Sequence, residues 1–215
     1  MIETVAGEGV DQKTIPLPDP TVRGMISLET TLEKRRSVRH YRDRPLALRE
    51  VSQLLWSAQG VTHPEGLRTA PSAGALNPLE IDLVAGRVDR LEPGIYRYRP
   101  PRHDLVTVVQ EDRRTALWSA ALRQDCVRDA PAVIVISAVY ERTTWKYGTR
   151  GKRYVHMEVG HTAQNILLQA VALDLGAVVV GAFHDDRIRD IMNLRSDEYP
   201  LSLIPVGKRV RFSGA

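Results

Sequence analysis

Residues 154–175, YVHMEVGHTAQNILLQAVALDL, decide the fold. Val155, Val159, Ala163, Ile166, Leu167, Ala170 and Val171 recur at helical spacing, which predicts one long helix. From Ile166 onward the apolar residues cover almost the whole circumference, so the helix is expected to be buried on all sides at the centre of the fold. Its first half is different: Glu158, Thr162, Asn165 and Gln169 share one face, with His161 beside them. An unpaired buried polar group costs about 1–3 kcal/mol, so this stripe needs partners. Either the groups are satisfied within the protein, or the stripe faces a subunit interface or the wall of a cofactor site.

Outward from that helix, residues 141–153 (ERTTWKYGTRGKR) read as a polar connection, and Gly176 as the helix stop. APAVIVISAV, ending at Val139, is an apolar, β-branched run typical of a strand covered on both faces. LEIDLVAG, IYRYRP and DLVTVVQ, starting at Leu79, Ile95 and Asp104, read as strands joined by turns. AVVVGAF and LSLIPVG, starting at Ala177 and Leu201, are further buried strands. Helices are expected from Leu28 to about Arg35 with Ser27 as N-cap, from residue 46 to near Gly60, over 112–122, and from a cap at Asp185 to about Leu194. The mixture, with hairpins in the middle, predicts an α+β fold rather than a doubly wound sheet. Residues 1–24, with Pro16, Pro18 and Pro20, read as an extended arm that could lie on a partner subunit, and 25–215 as one domain.

Composition narrows the function. Cys126 is the single cysteine, which excludes an intrachain disulfide and a cysteine-built zinc site. No apolar run reaches the roughly 20 residues of a membrane span, and the N-terminus lacks a signal-peptide core, so the expectation is a cytoplasmic protein. Thirty Lys plus Arg against 26 Asp plus Glu gives +4, too little to demand nucleic acid, though local Arg clusters could hold a small anion. Gly7-Glu8-Gly9 does not continue into a dinucleotide fingerprint, and there is no phosphate loop of the G-x-x-x-x-G-K type. His156, Glu158 and His161 match no zinc motif, and no metal is expected.

Three features suit a flat anionic ligand. Arg35, Arg36, Ser37 and Arg39 offer guanidiniums for bidentate phosphate binding and a hydroxyl beside them. The loop Pro71-Ser72-Ala73-Gly74-Ala75 is small enough for backbone to approach a ring closely. Val180 and Gly181, at a strand end, offer backbone groups in the same way.

RRSVR from Arg35, APSAGALNP from Ala70, KYGTRGKRY from Lys146, E-x-GH-x-x-QN-x-x-L from Glu158, VVVGAF from Val178 and PLSLIPVGK from Pro200 together resemble the nitroreductase superfamily. Within it they look like the SagB-type FMN-dependent dehydrogenases, related to the azoline oxidases of peptide natural-product pathways. The resemblance runs from about Leu28 to Lys208. It implies a central mixed or antiparallel sheet flanked by helices, a homodimer, and FMN at the subunit interface with NADH or NADPH as a donor. By motif position Arg35, Arg36, Ser37 and Arg39 would hold the flavin phosphate and pyrimidine edge. Pro71, Ser72 and Ala73 would come from the partner subunit. Val180 and Gly181 would lie against the isoalloxazine, Gln124 would face the ribityl chain or ring, and Lys208 or Arg209 would add charge at the phosphate. Azoline oxidases use a Lys-Tyr pair, matched here by Lys146 and Tyr147. Arg150, Lys152 and Arg153 would push the Lys146 pKa down, towards a base. Ala73, Ala75 and Asn77 stand where general nitroreductases carry a serine, an asparagine and a glutamine, which favours the SagB-type branch. The expected substrate is a small organic molecule or a peptide heterocycle. The alternatives are an NAD(P)H-dependent nitro or quinone reductase, and a flavin-binding sensor or partner subunit with little turnover.

Overall fold

The computed structural model describes residues 13–210. In chain order its main elements are β1 (Thr14–Pro16), α1 (Leu28–Lys34), α2 (Leu48–Gln59), β2 (Leu79–Ala85), β3 (Gly94–Arg99), β4 (Asp104–Val109), α3 (Arg114–Ala120), α4 (Asp125–Asp129), β5 (Ala132–Ala138), α5 (Glu141–Tyr147), α6 (Gly151–Ala172), β6 (Leu175–Ala177), α7 (Asp185–Met192) and β7 (Tyr199–Lys208). The strands form one sheet in the order β1-β4-β3-β2-β5-β7-β6, and every neighbouring pair is antiparallel. The fold is α+β, with helices on both faces.

β5 shows why its sequence does not alternate. Ala132, Ile134, Ile136 and Ala138 enter a core built with α2 and α6, while Val133 and Val135 enter a second core with α3, α4 and α7. Successive side chains point to opposite faces, so a strand with a core on each face is apolar throughout. The proline-bearing N-terminal segment is extended where it is described. β1 pairs with β4 of its own chain, and Leu17 enters the α2–α6 core. Residues 1–12 of the expected arm lie outside the described residues. Ser27 caps α1 by accepting from the Thr30 N–H at 3.2 Å, as its position predicts.

The long helix differs from the sequence reading at both ends. α6 begins at Gly151, and the supposed polar connection before it is largely helical: α5 ends at Tyr147, and Gly148, with a φ of 57°, breaks the run. α5 packs on α6 through buried Thr143, and a Cβ at Gly151 would meet the Thr144 Cα at 2.9 Å, so this close packing needs a glycine. α6 ends at Ala172, and the chain turns through Asp174 at a φ of 55°; Gly176 belongs to β6. AVVVGAF is not one strand: β6 stops at Ala177, and Val180 touches β7 only through a bridge to Leu203. Asp185 is the first residue of α7, with His184 at the cap. Nor does the single chain enclose α6 on all sides. Past Ile166, Leu168, Val171 and Ala172 are only half-buried, and before it His156, Met157, Gly160, His161 and Gln164 form an exposed stripe in which Met157 is a large apolar side chain.

Candidate functional site

The first group of residues gathers beyond the C-terminal end of α6. Val38 N donates to Ala177 O at 3.0 Å and Arg42 N to Lys208 O at 2.9 Å, which lays the arginine-rich run along β6 and the end of β7. A Cβ at Gly176 would lie 2.5 Å from Val38 Cγ1, so only a glycine lets the run sit this close. Tyr41 fixes it further, donating to Val38 O at 2.9 Å with Pro205 O at 3.2 Å; burial pushes its phenol far above the usual range. Ser37 is thereby bridged to Ala177 and Tyr41 to Arg209, so Ser37 and Arg39 run along the strands that end at Lys208 and Arg209, with Arg35 and Arg36 just before them at the end of α1.

Their charges are not equivalent. Among the described residues Arg35, Arg36, Arg39 and Arg209 have no carboxylate partner, whereas the Lys208 ammonium lies 2.5 Å from Glu50 Oε1. Arg36 Nη1 donates to the carbonyls of Glu33 and Arg35, both at 2.8 Å. The Arg39 charge reaches Cys126 in α4, where it opposes the burial that pushes the thiol up. Two residues before Cys126, Gln124 Nε2 donates to Ala182 O at 3.0 Å and Ala121 O at 3.1 Å. Gln124 is thus held next to Val180 and Gly181. Val180 exchanges both backbone hydrogen bonds with Leu203, and a Cβ at Gly181 would meet nothing within 4 Å. That leaves an open backbone shelf at the strand end.

The second group lies along the first turns of α6. The loop after Pro71 turns through Gly74, Ala75 and Asn77 at φ values of 63°, 55° and 46°. Such left-handed residues need anchoring. Ser72 Oγ accepts from Asn77 N at 2.9 Å, Ser72 O accepts from Ala75 N at 3.1 Å, and Arg142 of α5 donates to Asn77 O at 3.2 Å. The loop presses on the predicted catalytic pair: a Cβ at Gly74 would lie 2.8 Å from Tyr147 Oη and 3.0 Å from Lys146 Nζ. The Tyr147 ring stands edge-on to Tyr154 at 5.2 Å between centroids. The Lys146 ammonium sits 5.5 Å from the Tyr147 ring centre.

Pro71, Ser72 and Ala73 also line a cavity of about 250 Å³ with Tyr154, Met157, Glu158 and His161. Glu158 was absent from the predicted site, although the polar stripe on its helix was legible. It is 2% exposed, and its Oε1 has no hydrogen-bond partner among the described residues. Burial pushes its carboxyl up to about 7, against the opposing pull of Ser72, Arg68 and Gln59. The rest of the stripe is satisfied within the chain. Thr162 accepts from Gln59 at 2.9 Å, Asn165 donates to Thr69 O at 3.2 Å, and Gln169 accepts from Gln53 at 3.2 Å.

The two groups do not meet. From Tyr154 to Ala172 the helix covers ~27 Å at 1.5 Å per residue, and no hydrogen bond or ion pair joins the groups among the described residues. No helix there is long and apolar enough to cross a membrane, and no cluster of three or more His, Cys, Asp or Glu could hold a metal.

The nitroreductase family model matches residues 32–208, nearly the whole described chain. This chain belongs to the nitroreductase family. A nitroreductase-type protein of Methanocaldococcus jannaschii is 50% identical over 200 residues, covering 93% of this chain and 98% of that one. The crystal structure of a nitroreductase-type protein of Ralstonia eutropha superimposes with a TM-score of 0.82 at 30% identity, over 95% of this chain and 93% of that one. The microcin B17-processing protein McbC of Escherichia coli is 28% identical over 156 residues. That match covers 69% of this chain and 57% of McbC, so the nitroreductase-like chain accounts for little more than half of that protein. Membership makes the chain a flavin-linked oxidoreductase.

Proposed function

We propose that this nitroreductase is an FMN-dependent dehydrogenase of the SagB type that works as a homodimer on a small organic or modified-peptide substrate. One observation carries the reading: the chain holds two complementary half-sites at opposite ends of one helix. The first suits a single terminal phosphate, with Arg35, Arg39 and Arg209 free of carboxylates, the Ser37 hydroxyl beside them and the open shelf at Gly181 for a flat ring. The second, at Pro71–Ala73, Lys146 and Tyr147, offers a single ammonium rather than a cluster of guanidiniums and would close the site from a second chain. The exposed stripe of α6 and the exposed apolar side chains of Val22, Met25, Ile26, Leu28 and Leu32 would be covered in that pairing. The likeness to McbC, a peptide-processing protein by its name, supports the SagB-type branch.

Bound FMN would supply the two-electron chemistry, taking two electrons from a dehydrogenated substrate and giving them to an acceptor; NADH or NADPH would be the donor only where the chain instead reduces its substrate. The protein supplies position, charge and proton transfer. Arg35 and Arg39 fix the phosphate, and the same cationic run stabilises negative charge at the pyrimidine edge. Gln124 presents its amide beside the shelf. Lys146 Nζ takes the proton that the substrate loses, and Tyr147 Oη, held by Gly74 and Tyr154, orients the group that loses it. A reductase acting on nitro compounds or quinones is the second reading, favoured by the 50% identical nitroreductase-type relative.

Three measurements test this. Heat-released chromophore identified by chromatography is expected to be FMN; FAD, or a protein that binds neither flavin, overturns the cofactor assignment. Sedimentation at low micromolar concentration is expected to show a dimer, and a yellow monomer overturns the shared site. Stopped-flow oxidation and reduction with nitroarene, quinone and azoline-containing peptide then separate the two substrate classes.

A further inference from the structure

A cavity of about 290 Å³ opens beside the substrate half of the site, between β2, the β3–β4 turn, the start of α5 and the connection after α2. That is close to the lower end of the ~300–1,000 Å³ of small-ligand sites. Arg68, Arg97, Arg99, Arg102 and Arg142 line it, and Glu80 is the one carboxylate among the lining residues. Three of the five guanidiniums are neutralised. Arg97 meets Asp82 at 2.6 Å and Glu198 at 2.8 Å, Arg99 meets Asp104 at 2.6 Å, and Arg142 pairs with Glu80, which also lies 3.4 Å from Arg97. Among the described residues Arg68 and Arg102 have no carboxylate partner. Arg68 is half-buried, donates to Gln59 Oε1 at 3.0 Å and is bridged to Val61; Arg102 is exposed. The turn that carries Arg102 is stiff. Pro100 and Pro101 fill its two central positions, and Arg102 N donates to Arg99 O at 3.2 Å. His103, just after it, hydrogen-bonds Tyr98 Oη at 2.9 Å and Ser52 Oγ at 2.8 Å. The backbone under both unpaired guanidiniums is thus set before a ligand arrives, which lowers the cost of ordering on binding.

We propose that this cavity is the subsite for a carboxylate carried by the substrate, bound by Arg68 and Arg102 beside Lys146. A guanidinium meets a carboxylate through two parallel N–H···O bonds, and both residues have donors free for it. The apolar part of the lining, Leu79, Ile81 and Tyr98, suits an organic acid rather than a bare inorganic anion. The link to the reaction comes from α5. Arg142 and Lys146 are four residues apart, a rise of about 6 Å, so they share one face of that helix. Both reach the same loop: Arg142 donates to Asn77 O at 3.2 Å, and a Cβ at Gly74 would lie 3.0 Å from Lys146 Nζ. The substrate class is thereby narrowed to an organic acid, or a peptide with an acidic group near the reacting ring. The role in substrate binding rests on the proposed function; the preference of the cavity for a carboxylate does not.

The experiment has two arms. In the first, benzoate is titrated into the full chain and the backbone amide signals of Arg68, Tyr98 and Arg102 are followed. Benzoate is expected to saturate these shifts, and benzamide, its neutral counterpart, to bind at least about tenfold more weakly. Arg68→Gln and Arg102→Gln are each expected to weaken benzoate about tenfold. Should Arg68→Gln not fold, Arg102→Gln decides, because that side chain is exposed and its backbone bond is kept. Benzamide binding as well as benzoate, inorganic sulfate binding as tightly, or shifts confined to residues 35–39 and 209 overturns the carboxylate site. The second arm compares an azoline-containing peptide that carries glutamate beside the ring with its glutamine counterpart. The wild type is expected to show about a tenfold lower KM for the glutamate peptide at similar kcat, and Arg102→Gln to lose the preference. For the second reading, 4-nitrobenzoate against 4-nitrobenzamide measures the same preference. Benzoate bound as expected with equal KM within each pair overturns the substrate role and leaves the oxidoreductase reading standing. If neither pair is turned over, the proposed function fails, and the benzoate titration alone decides the cavity.

Discussion

Among the described residues, Arg35, Arg36, Arg39 and Arg209, beyond the C-terminal end of α6, stand without carboxylate partners; near its N-terminal end, Glu158 is buried with an unpaired oxygen. Both are departures from internal charge balance, but of different kinds. Arg36 and Arg39 are exposed and Arg35 and Arg209 half-buried, so water still screens these guanidiniums and the fold tolerates them at little cost until an anion arrives. The carboxyl is enclosed, so its charge is expensive, and the chain relieves the expense by holding the proton. One end of the helix therefore carries charge open to an anion, and the other a carboxyl held neutral by burial. Elsewhere buried charge is mostly paired. Arg97, on β3, meets Asp82 at 2.6 Å and Glu198 through two bonds at 3.1 and 2.8 Å, both carboxylates being almost wholly buried. Even there Asp82 Oδ2 has no partner among the described residues, and burial raises that carboxyl to about 6 despite Arg97. What distinguishes Glu158 is that no arginine among the described residues forms an ion pair with it.

If this contrast is right, substitutions at the two ends must fail differently. The largest expected effect is at Lys146. Lys146→Ala should retain flavin yet slow the substrate half-reaction by about 10²–10⁴ if the amine moves the proton. Reoxidation by an acceptor should change much less. Stopped flow of each half-reaction checks it, and normal turnover of Lys146→Ala with every substrate tested would remove that residue from the chemistry. Next is Glu158→Gln, read by urea unfolding from pH 4.5 to 8.5. The folded carboxyl titrates near 7 and the unfolded one near 4.5, so the wild type should be most favoured at the acid end. Relative to the variant it should lose up to about 3 kcal/mol as pH rises through 7. Parallel stability curves for the two proteins would mean that Glu158 carries no burial penalty.

At the other end, Arg35→Ala should leave stability nearly unchanged and weaken FMN binding by about 10- to 150-fold, the loss of one charge-assisted contact worth roughly 1.5–3 kcal/mol. Fluorescence titration of the flavin measures it. A variant that binds FMN normally but loses the substrate half-reaction would reverse the division between the ends.

The two ends were also unequally legible in the sequence. The phosphate-suited end is written as a contiguous word, RRSVR, laid against β6 and β7 by backbone pairing, and its meaning needs few distant contacts. β2 to β5 were legible for a similar reason, since apolar period and turn residues are local signals. The substrate end is assembled from the 71–77 loop, α5 and α6, and none of their separate patterns announces that Gly74 touches Tyr147 and Lys146. α5 was misread because its charged and polar residues show no apolar stripe, and tertiary packing through Thr143 overrode that weak local signal. Glu158 was visible as part of a polar stripe. What set it apart from Thr162, Asn165 and Gln169 was which of them found partners across the fold, and that depends on side chains of α2 and the loop after it.

The smallest effect sharpens the first half-site. Sequence position left Lys208 and Arg209 as equal candidates for a charge at the phosphate, and the structure separates them. The Lys208 ammonium is 2.5 Å from Glu50, and Glu50 also accepts from Ala47 N at 2.9 Å, which closes the first turn of α2. Moving that ammonium to a phosphate would break an ion pair and leave a largely buried carboxylate without its partner. Arg209 pairs with Tyr41 through backbone only, so its guanidinium remains available. Lys208→Ala should therefore cost about 1 kcal/mol of stability, as for a partly exposed pair, with FMN affinity changed by less than about threefold. Arg209→Ala should do the opposite, lowering FMN affinity by about tenfold at little cost in stability. Paired thermal melts and flavin titrations of the two variants distinguish the cases. If Lys208→Ala loses the flavin instead, the Glu50 pair gives way when the anion binds, and the two ends of α6 differ less in their readiness than the ligand-free chain implies.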